Sequence, residues 1–274
     1  MSNLVLRTIT GTVFTALVMG TILLANRFPV IPMIVFPGFA ILGVREFYQL
    51  FEKHAFVSIA TEIGTIMALT LLLLYLGVYS DVLVPASLSF SIPVIFICAL
   101  AELWRNKAHP ILNIGTMVFG LFYVILPFVL MIELVEIKIA TLPVLAGMFI
   151  LIWSNDTFAY LTGKALGKTA LFERISPNKT WEGTIGGVAF TVIAGAIIGY
   201  FTGHLLFWIG AAVVIAPCAI FGDLLESLFK RSLSIKDSGN IFPGHGGVLD
   251  RFDATLLVVP FFTLWYFLYL TFIR

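Results

Sequence analysis

Apolar residues fill nine long blocks of this chain, separated by short polar breaks, at about 6–25, 29–44, 58–78, 82–101, 111–132, 140–163, 184–202, 205–229 and 253–273. Most blocks reach the ~20 residues that an α-helix needs to cross a hydrocarbon core of about 30 Å. They run without the strict alternation of a membrane β-strand, so the pattern predicts helical spans. The second block is the shortest, punctuated by Pro29, Pro32 and Pro37, which remove backbone donors. The prediction is an all-α, polytopic membrane protein with about nine transmembrane helices.

Composition agrees: 60% of the 274 residues are apolar and 11% are charged. The mean hydropathy of +1.05 lies beyond a water-soluble domain of this size. The formal net charge of +1 says little, but the placement of the charges says more. Numbering the helix ends alternately puts Arg7, Arg45, Lys53, Arg105, Lys107, Lys164, Lys168, Arg174, Lys179, Lys230, Arg231, Lys236 and Arg251 on one side. Only Arg27, Lys138 and Arg274 fall on the other. This bias predicts a cytoplasmic N-terminus and an external C-terminus, and dropping a span between 164 and 253 would break it. Arg7 before an apolar run imitates a signal peptide, yet no convincing small-x-small site follows, so an uncleaved anchor is expected. Cys98 and Cys218 lie inside spans and match no metal spacing; they are expected to be core residues.

The chain divides into residues 1–135, five spans with few polar residues and a scaffold character, and 136–274, four helices with cytoplasmic segments 164–183 and 227–253. Unusual chemistry gathers in the second part. Asp223, Glu226, Ser227 and Lys230 follow i, i+3, i+4, i+7 spacing, one stripe of an otherwise apolar helix. Asp156, Tyr160, Gly163 and Lys164 repeat that relation. A carboxylate at such depth costs several kcal/mol unless it is paired or holds a cation. The plain alternative is a structural salt bridge, Asp156 with Lys164 or Asp223 with Lys230.

The last span opens on Asp250-Arg251-Phe252-Asp253, two carboxylates in the first turn, where the helix dipole favours them. The preceding Pro243-Gly244-His245-Gly246-Gly247 leaves backbone N–H groups open to an anion and lets the turn fold back, so Asp250 is expected to approach Asp223. Oxygen donors from two helices, beside cations and without a Cys or His cluster, suit a hard ion such as Mg²⁺ held by Asp223 and Asp250. Ser176 before Pro177 predicts a helix N-cap with proline at the first helical position and Lys179 close by, an anion-binding arrangement. For Lys164 and Lys168 the alternative is simple attraction to acidic lipid.

The run Ser227-x2-Lys230-Arg231-x4-Lys236-Asp237-x-Gly239-x2-Phe242-Pro243-x-His245-Gly246-Gly247-x2-Asp250-Arg251-x-Asp253 resembles, without departure across its 27 residues, the signature of the phosphatidate cytidylyltransferases, or CDP-diacylglycerol synthases. The block from Asp156 to Lys168, with Ser176-Pro177-x-Lys179-Thr180-x-Glu182-Gly183, is similar to that family's second motif. The resemblance implies transfer of CMP from CTP to phosphatidic acid in phospholipid biosynthesis, giving CDP-diacylglycerol and pyrophosphate. It also implies Mg²⁺, a monovalent cation such as K⁺ beside it, and a homodimer. The expected setting is multi-pass in the cell inner (plasma) membrane among its lipids, with the active site facing the cytoplasm and no nucleic-acid partner.

On this reading the catalytic set is Asp223, Asp250, Lys230, Arg231, Lys236, His245 and Arg251, with the cations on phosphates and His245 positioning the glycine turn or a phosphate. Ser176, Asn178, Lys179, Thr180, Ser227, Asp237, Gly246, Gly247, Asp253, Asp156 and Lys164 are expected to contact substrate. Two other readings compete. A CTP-dependent polyprenol kinase would transfer the γ-phosphate to an alcohol, and a transporter would use Asp156 and Asp223 for ion coupling. Transporters favour repeated halves with broken helices at the midplane, which this pattern lacks. The Asp-Gly-x2-Ala-Arg pattern of CDP-alcohol phosphotransferases is missing too.

Overall fold

The computed structural model describes residues 3–54, 57–58, 60–235, 237–239, 241–242 and 246–273. Among them are α1 (Asn3–Leu24), α2 (Val30–His54), α3 (Thr61–Tyr79) and α4 (Ser91–Arg105), the last led in by a 3₁₀ turn, Pro85–Phe90. Then α5 (Pro110–Gly120) and α6 (Leu126–Val135) join through a π-helical stretch, Leu121–Ile125, into one rod. The remaining helices are α7 (Val144–Leu166), α8 (Trp181–Thr202), α9 (Leu205–Ser232) and α10 (Leu249–Phe272). Eight of these rods are long and apolar enough to cross a bilayer, and α1 adds a shorter apolar stretch, Thr8–Leu24. This is an all-α, polytopic membrane protein.

The expected second block ended at residue 44, whereas α2 runs on to His54. Its polar last turns are sustained by partners from elsewhere in the chain. Arg45 Nη2 meets Glu62 Oε1 on α3 at 2.9 Å, and the buried Tyr48 hydroxyl donates to the Met117 carbonyl at 2.7 Å. Two small antiparallel hairpins, which the all-helical expectation omitted, lie between helices: β1 (Lys138–Ile139) with β2 (Leu142–Pro143), and β3 (Ala170–Phe172) with β4 (Ser176–Thr180).

In lipid, helices associate through close van der Waals packing, so small residues at the crossings matter. The helices α7 to α10 pack in sequence order, each against the next. Gly195 and Gly199 of α8 are where α9 approaches: a Cβ on either would lie 2.6 Å from Trp208 O or Leu205 Cα, respectively. The small-x3-small spacing of Gly195 and Gly199 therefore serves a contact within the chain. Gly203 itself takes a left-handed φ of +72° and ends α8. The fully buried Trp208 ring covers Gly147 of α7. Phe252 of α10 meets Phe14 of α1 and Phe128 of α6 edge-on, with centroids at 5.3 and 4.9 Å. That contact ties the last helix to the N-terminal part. Cys98 and Cys218 are free thiols packed against the core.

Candidate active site

A cavity of about 510 Å³ opens between α7, β4, α8 and α9. It brings together Asp156 and Lys164 of α7, Asn178, Lys179 and Thr180 of β4, and Asp223 of α9. The sequence placed a helix start at Ser176; the structure corrects this. Proline disfavours helical backbone in the residue before it, and Ser176 and Pro177 accordingly enter a strand paired to β3. The helix begins at Trp181, and Thr180, in extended backbone, is its N-cap, its hydroxyl accepting from the Gly183 N–H at 3.2 Å. Glu182 turns back to accept from the N–H groups of Lys168 and Thr169 at 3.1 and 3.2 Å, fastening the hairpin to α8. Lys179 is thereby aimed across the cavity, its Nζ 2.5 Å from Asp223 Oδ2. Beside it α7 and α8 touch backbone to backbone, since a Cβ on Gly183 would lie 2.7 Å from Ala159 O and 3.0 Å from Gly163 Cα.

Asp223 also belongs to a second constellation. The predicted stripe on α9 forms: Ser227 Oγ donates to Asp223 Oδ1 at 3.3 Å, and Glu226 and Lys230 continue the same face. Gly222 lets α10 approach, a Cβ there falling 2.8 Å from Asp253 O. One carboxylate oxygen each from Asp223, Glu226 and Asp253 then lie within 4.8 Å of one another. Lys230 Nζ sits 2.5 Å from Glu226 Oε2 and 2.9 Å from Asp250 Oδ1.

Asp250, expected beside Asp223 as a metal ligand, is engaged by other groups in this structure. Asp250 Oδ1 is taken by Lys230, while its Oδ2 accepts from the Gly247 N–H at 2.8 Å, the Ser238 N–H at 2.9 Å and the Ser238 hydroxyl at 2.8 Å. Asp253, one helical turn on, faces Asp223 instead. The two plain salt bridges weighed from the sequence are absent among the described residues. Asp223 pairs with Lys179 rather than Lys230, and Lys164 stands 6.0 Å over the Tyr160 ring rather than on Asp156.

The other predicted residues are more scattered. Arg231 is exposed and donates from Nε to the Ile175 carbonyl at 3.3 Å, bridging α9 to the β3–β4 turn. Arg251 Nε is buried without a hydrogen-bond partner among the described residues. Asp237 lines a separate cavity of about 380 Å³ with Arg45 and Lys53. Gly246 adopts a left-handed φ of +81°, its carbonyl accepting from the Phe242 N–H at 2.8 Å. Lys236 and His245 fall outside the described residues.

Sequence reasoning gave no role to two residues of this region. Glu226 stood on the quoted stripe, and its helical spacing with Asp223 and Lys230 was the available signal. Glu46 of α2, 6% exposed, had no local signal at all: it accepts from the Ser238 hydroxyl, the Val248 N–H at 2.8 Å and the Leu249 N–H at 3.3 Å, two hundred residues along the chain.

Compared with known proteins, residues 5–269 match the model of the family described as the cytidylyltransferase family. The chain belongs to the cytidylyltransferase family. Among curated members, it is 42% identical over 127 residues to a phosphatidate cytidylyltransferase of Haemophilus influenzae, covering 44% of each chain. It is 47% identical over 115 residues to one of Staphylococcus aureus, covering 41% of this chain and 44% of that one. To one of Bacillus subtilis it is 45% identical over 115 residues, covering 41% and 43%. The chain thus spans less than half the length of these curated relatives in alignment. Membership makes this a nucleotidyltransferase-family membrane protein.

Proposed function

We propose that this cytidylyltransferase-family protein transfers CMP from CTP to phosphatidic acid, releasing pyrophosphate and leaving CDP-diacylglycerol in the membrane. The observation that carries the reading is the shared carboxylate of Asp223, which joins a cation-lined cavity to an acidic trio on α9 and α10. The lipid phosphate oxygen would bond to the α-phosphorus of CTP as the bond from that phosphorus to the bridging oxygen breaks, and pyrophosphate departs with the electron pair. The attacking oxygen is already anionic, so positioning and charge neutralisation matter more than a general base.

The donor set fits a hard divalent ion. Among the described residues, Lys179 pairs with Asp223 and Lys230 with Glu226 and Asp250, while Asp253 stands beside Asp223 and Glu226 with no ion pair. Negative charge is thus in excess, and buried Glu226 Oε1 lacks any hydrogen-bond partner among those residues. Asp223, Glu226 and Asp253 would hold the ion, and magnesium bound there supplies neutralisation of phosphate charge. Lys179 orients a phosphate in the cavity beside the N-terminus of α8, where the helix dipole favours an anion. Lys230, held between Glu226 and Asp250, fixes the relative placement of α9 and α10. The charge asymmetry of the loops supports a cytoplasmic face for the site and an inner-membrane setting. A homodimer remains part of this proposal on the resemblance.

The test is purified protein in micelles with labelled CTP, phosphatidate and Mg²⁺. CDP-diacylglycerol and pyrophosphate should form, and chelation of the metal, Asp223→Asn or Asp253→Asn should each stop the reaction in folded protein. Transfer of the γ-phosphate with release of CDP would replace this reading by a kinase.

A further inference from the structure

From the geometry we infer that Glu46, in the N-terminal part of the chain, is a positioning residue for the active site. It acts through Ser238 and Asp250 on Lys230. The inference rests on the reading of the site given above and adds to it a residue that the acidic trio does not contain.

The first four N–H groups of a helix lack intrahelical partners, and a carboxylate is a favoured acceptor for them. The start of α10 divides its donors between two carboxylates. Asp250, inside the helix, takes the Gly247 N–H, while Glu46, from another helix altogether, takes those of Val248 and Leu249. Ser238 stands between the two acids. Its hydroxyl meets Glu46 Oε1 and Asp250 Oδ2, and its N–H also goes to Asp250 Oδ2. From Asp250 the connection continues through Oδ1 to Lys230, and from Lys230 to Glu226 of the acidic trio. The single Ser238 hydroxyl proton is shared between the two acids, the Ser238 N–H holds Asp250 in either case, and Glu46, Glu226 and Ser238 are each buried to within a few per cent.

The surroundings show that the seat is shaped for this side chain. A Cβ on Gly239 would lie 2.9 Å from both Glu46 Cδ and Oε2, and one on Gly247 would fall inside the same carboxylate. Gly239 and Gly247 thus leave room for Glu46. Among the described residues the partners of Glu46 are the helix start and the Ser238 hydroxyl. With the acceptor lost, the N–H groups of Val248 and Leu249 and the Ser238 hydroxyl must find new partners, and Asp250 loses its fixed register against Lys230.

Glu46→Gln keeps the shape but presents an amide donor to groups that are themselves donors. It should lower kcat roughly tenfold to a hundredfold, the weight of one charge-assisted hydrogen bond, while the KM for CTP stays within about threefold. Ser238→Ala leaves the cap on α10 and the residue 238 N–H on Asp250 in place and removes only the hydroxyl that meets both acids. It should lower kcat in the same way with the thermal midpoint in detergent held. Because the two act in series, the double variant should be no slower than the slower single one.

Multiplying losses in the double variant would overturn the inference. So would wild-type kcat in Ser238→Ala, or a fall in folded yield that accounts for the whole loss in both. A wild-type protein that makes no CDP-diacylglycerol would instead overturn the site reading and this inference together.

Discussion

Lys230 offers the sharpest quantitative test, because a single ammonium serves two buried carboxylates. Its side chain is 17% exposed, and those of Glu226 and Asp250 are 3% and 7% exposed. At an effective dielectric of about 20, contacts of 2.5 and 2.9 Å are each worth about 6 kcal/mol of Coulomb attraction. Several kcal/mol per ion are returned in desolvation, and breaking a buried pair by deleting one partner costs about 3–5 kcal/mol. Lys230→Met should therefore destabilise the protein by about that amount. For a chain of this size that corresponds to a fall of about 6–20 °C in thermal midpoint, read by fluorescence-detected size exclusion in detergent.

The compensating variant makes the argument specific. Adding Glu226→Gln to Lys230→Met removes one of the stranded charges and should restore a large part of the lost stability, a non-additive result expected of groups in contact. A Lys230→Met protein that melts within a degree of wild type would refute the reasoning. So would a double variant that melts below both single ones.

Two further outcomes follow from backbone geometry. Gly195→Ala should destabilise by about 1–3 kcal/mol, because its Cβ meets the Trp208 carbonyl at 2.6 Å, whereas Gly203→Ala, in open space at φ +72°, should cost only about 1–2 kcal/mol of left-handed strain. Thermal midpoints of the two in one detergent rank them. Thr180→Ala should cost about 1 kcal/mol through loss of the N-cap of α8, and Ser176→Ala should leave the thermal midpoint unchanged.

Much of the helical framework was visible in the sequence because a continuous apolar run of about 20 residues needs no tertiary information to be recognised. The stripe on α9 was equally visible, since Asp223, Glu226 and Lys230 keep helical spacing whatever packs against them. Misplacements arose where a partner distant in the chain decides the outcome. Residues 45–54 extend α2 because Glu62, Met117 and the loop before α10 receive its polar side chains. Ser176-Pro177 carries the residue types of a helix start, yet pairing with β3 makes it a strand and passes the cap to Thr180. The choice between Asp250 and Asp253 as the partner of Asp223 depends on which acid Lys230 and Ser238 engage, which spacing alone does not contain.

The backbone seam of Gly163 and Gly183 limits how this cavity can diversify. With a Cβ at Gly183 only 2.7 Å from the Ala159 carbonyl, that part of the wall is written in main chain and resists adjustment by substitution. Variation in what the cavity admits must enter from the opposite wall, at positions such as Asn178 and Ile220. Engineering altered selectivity should start there.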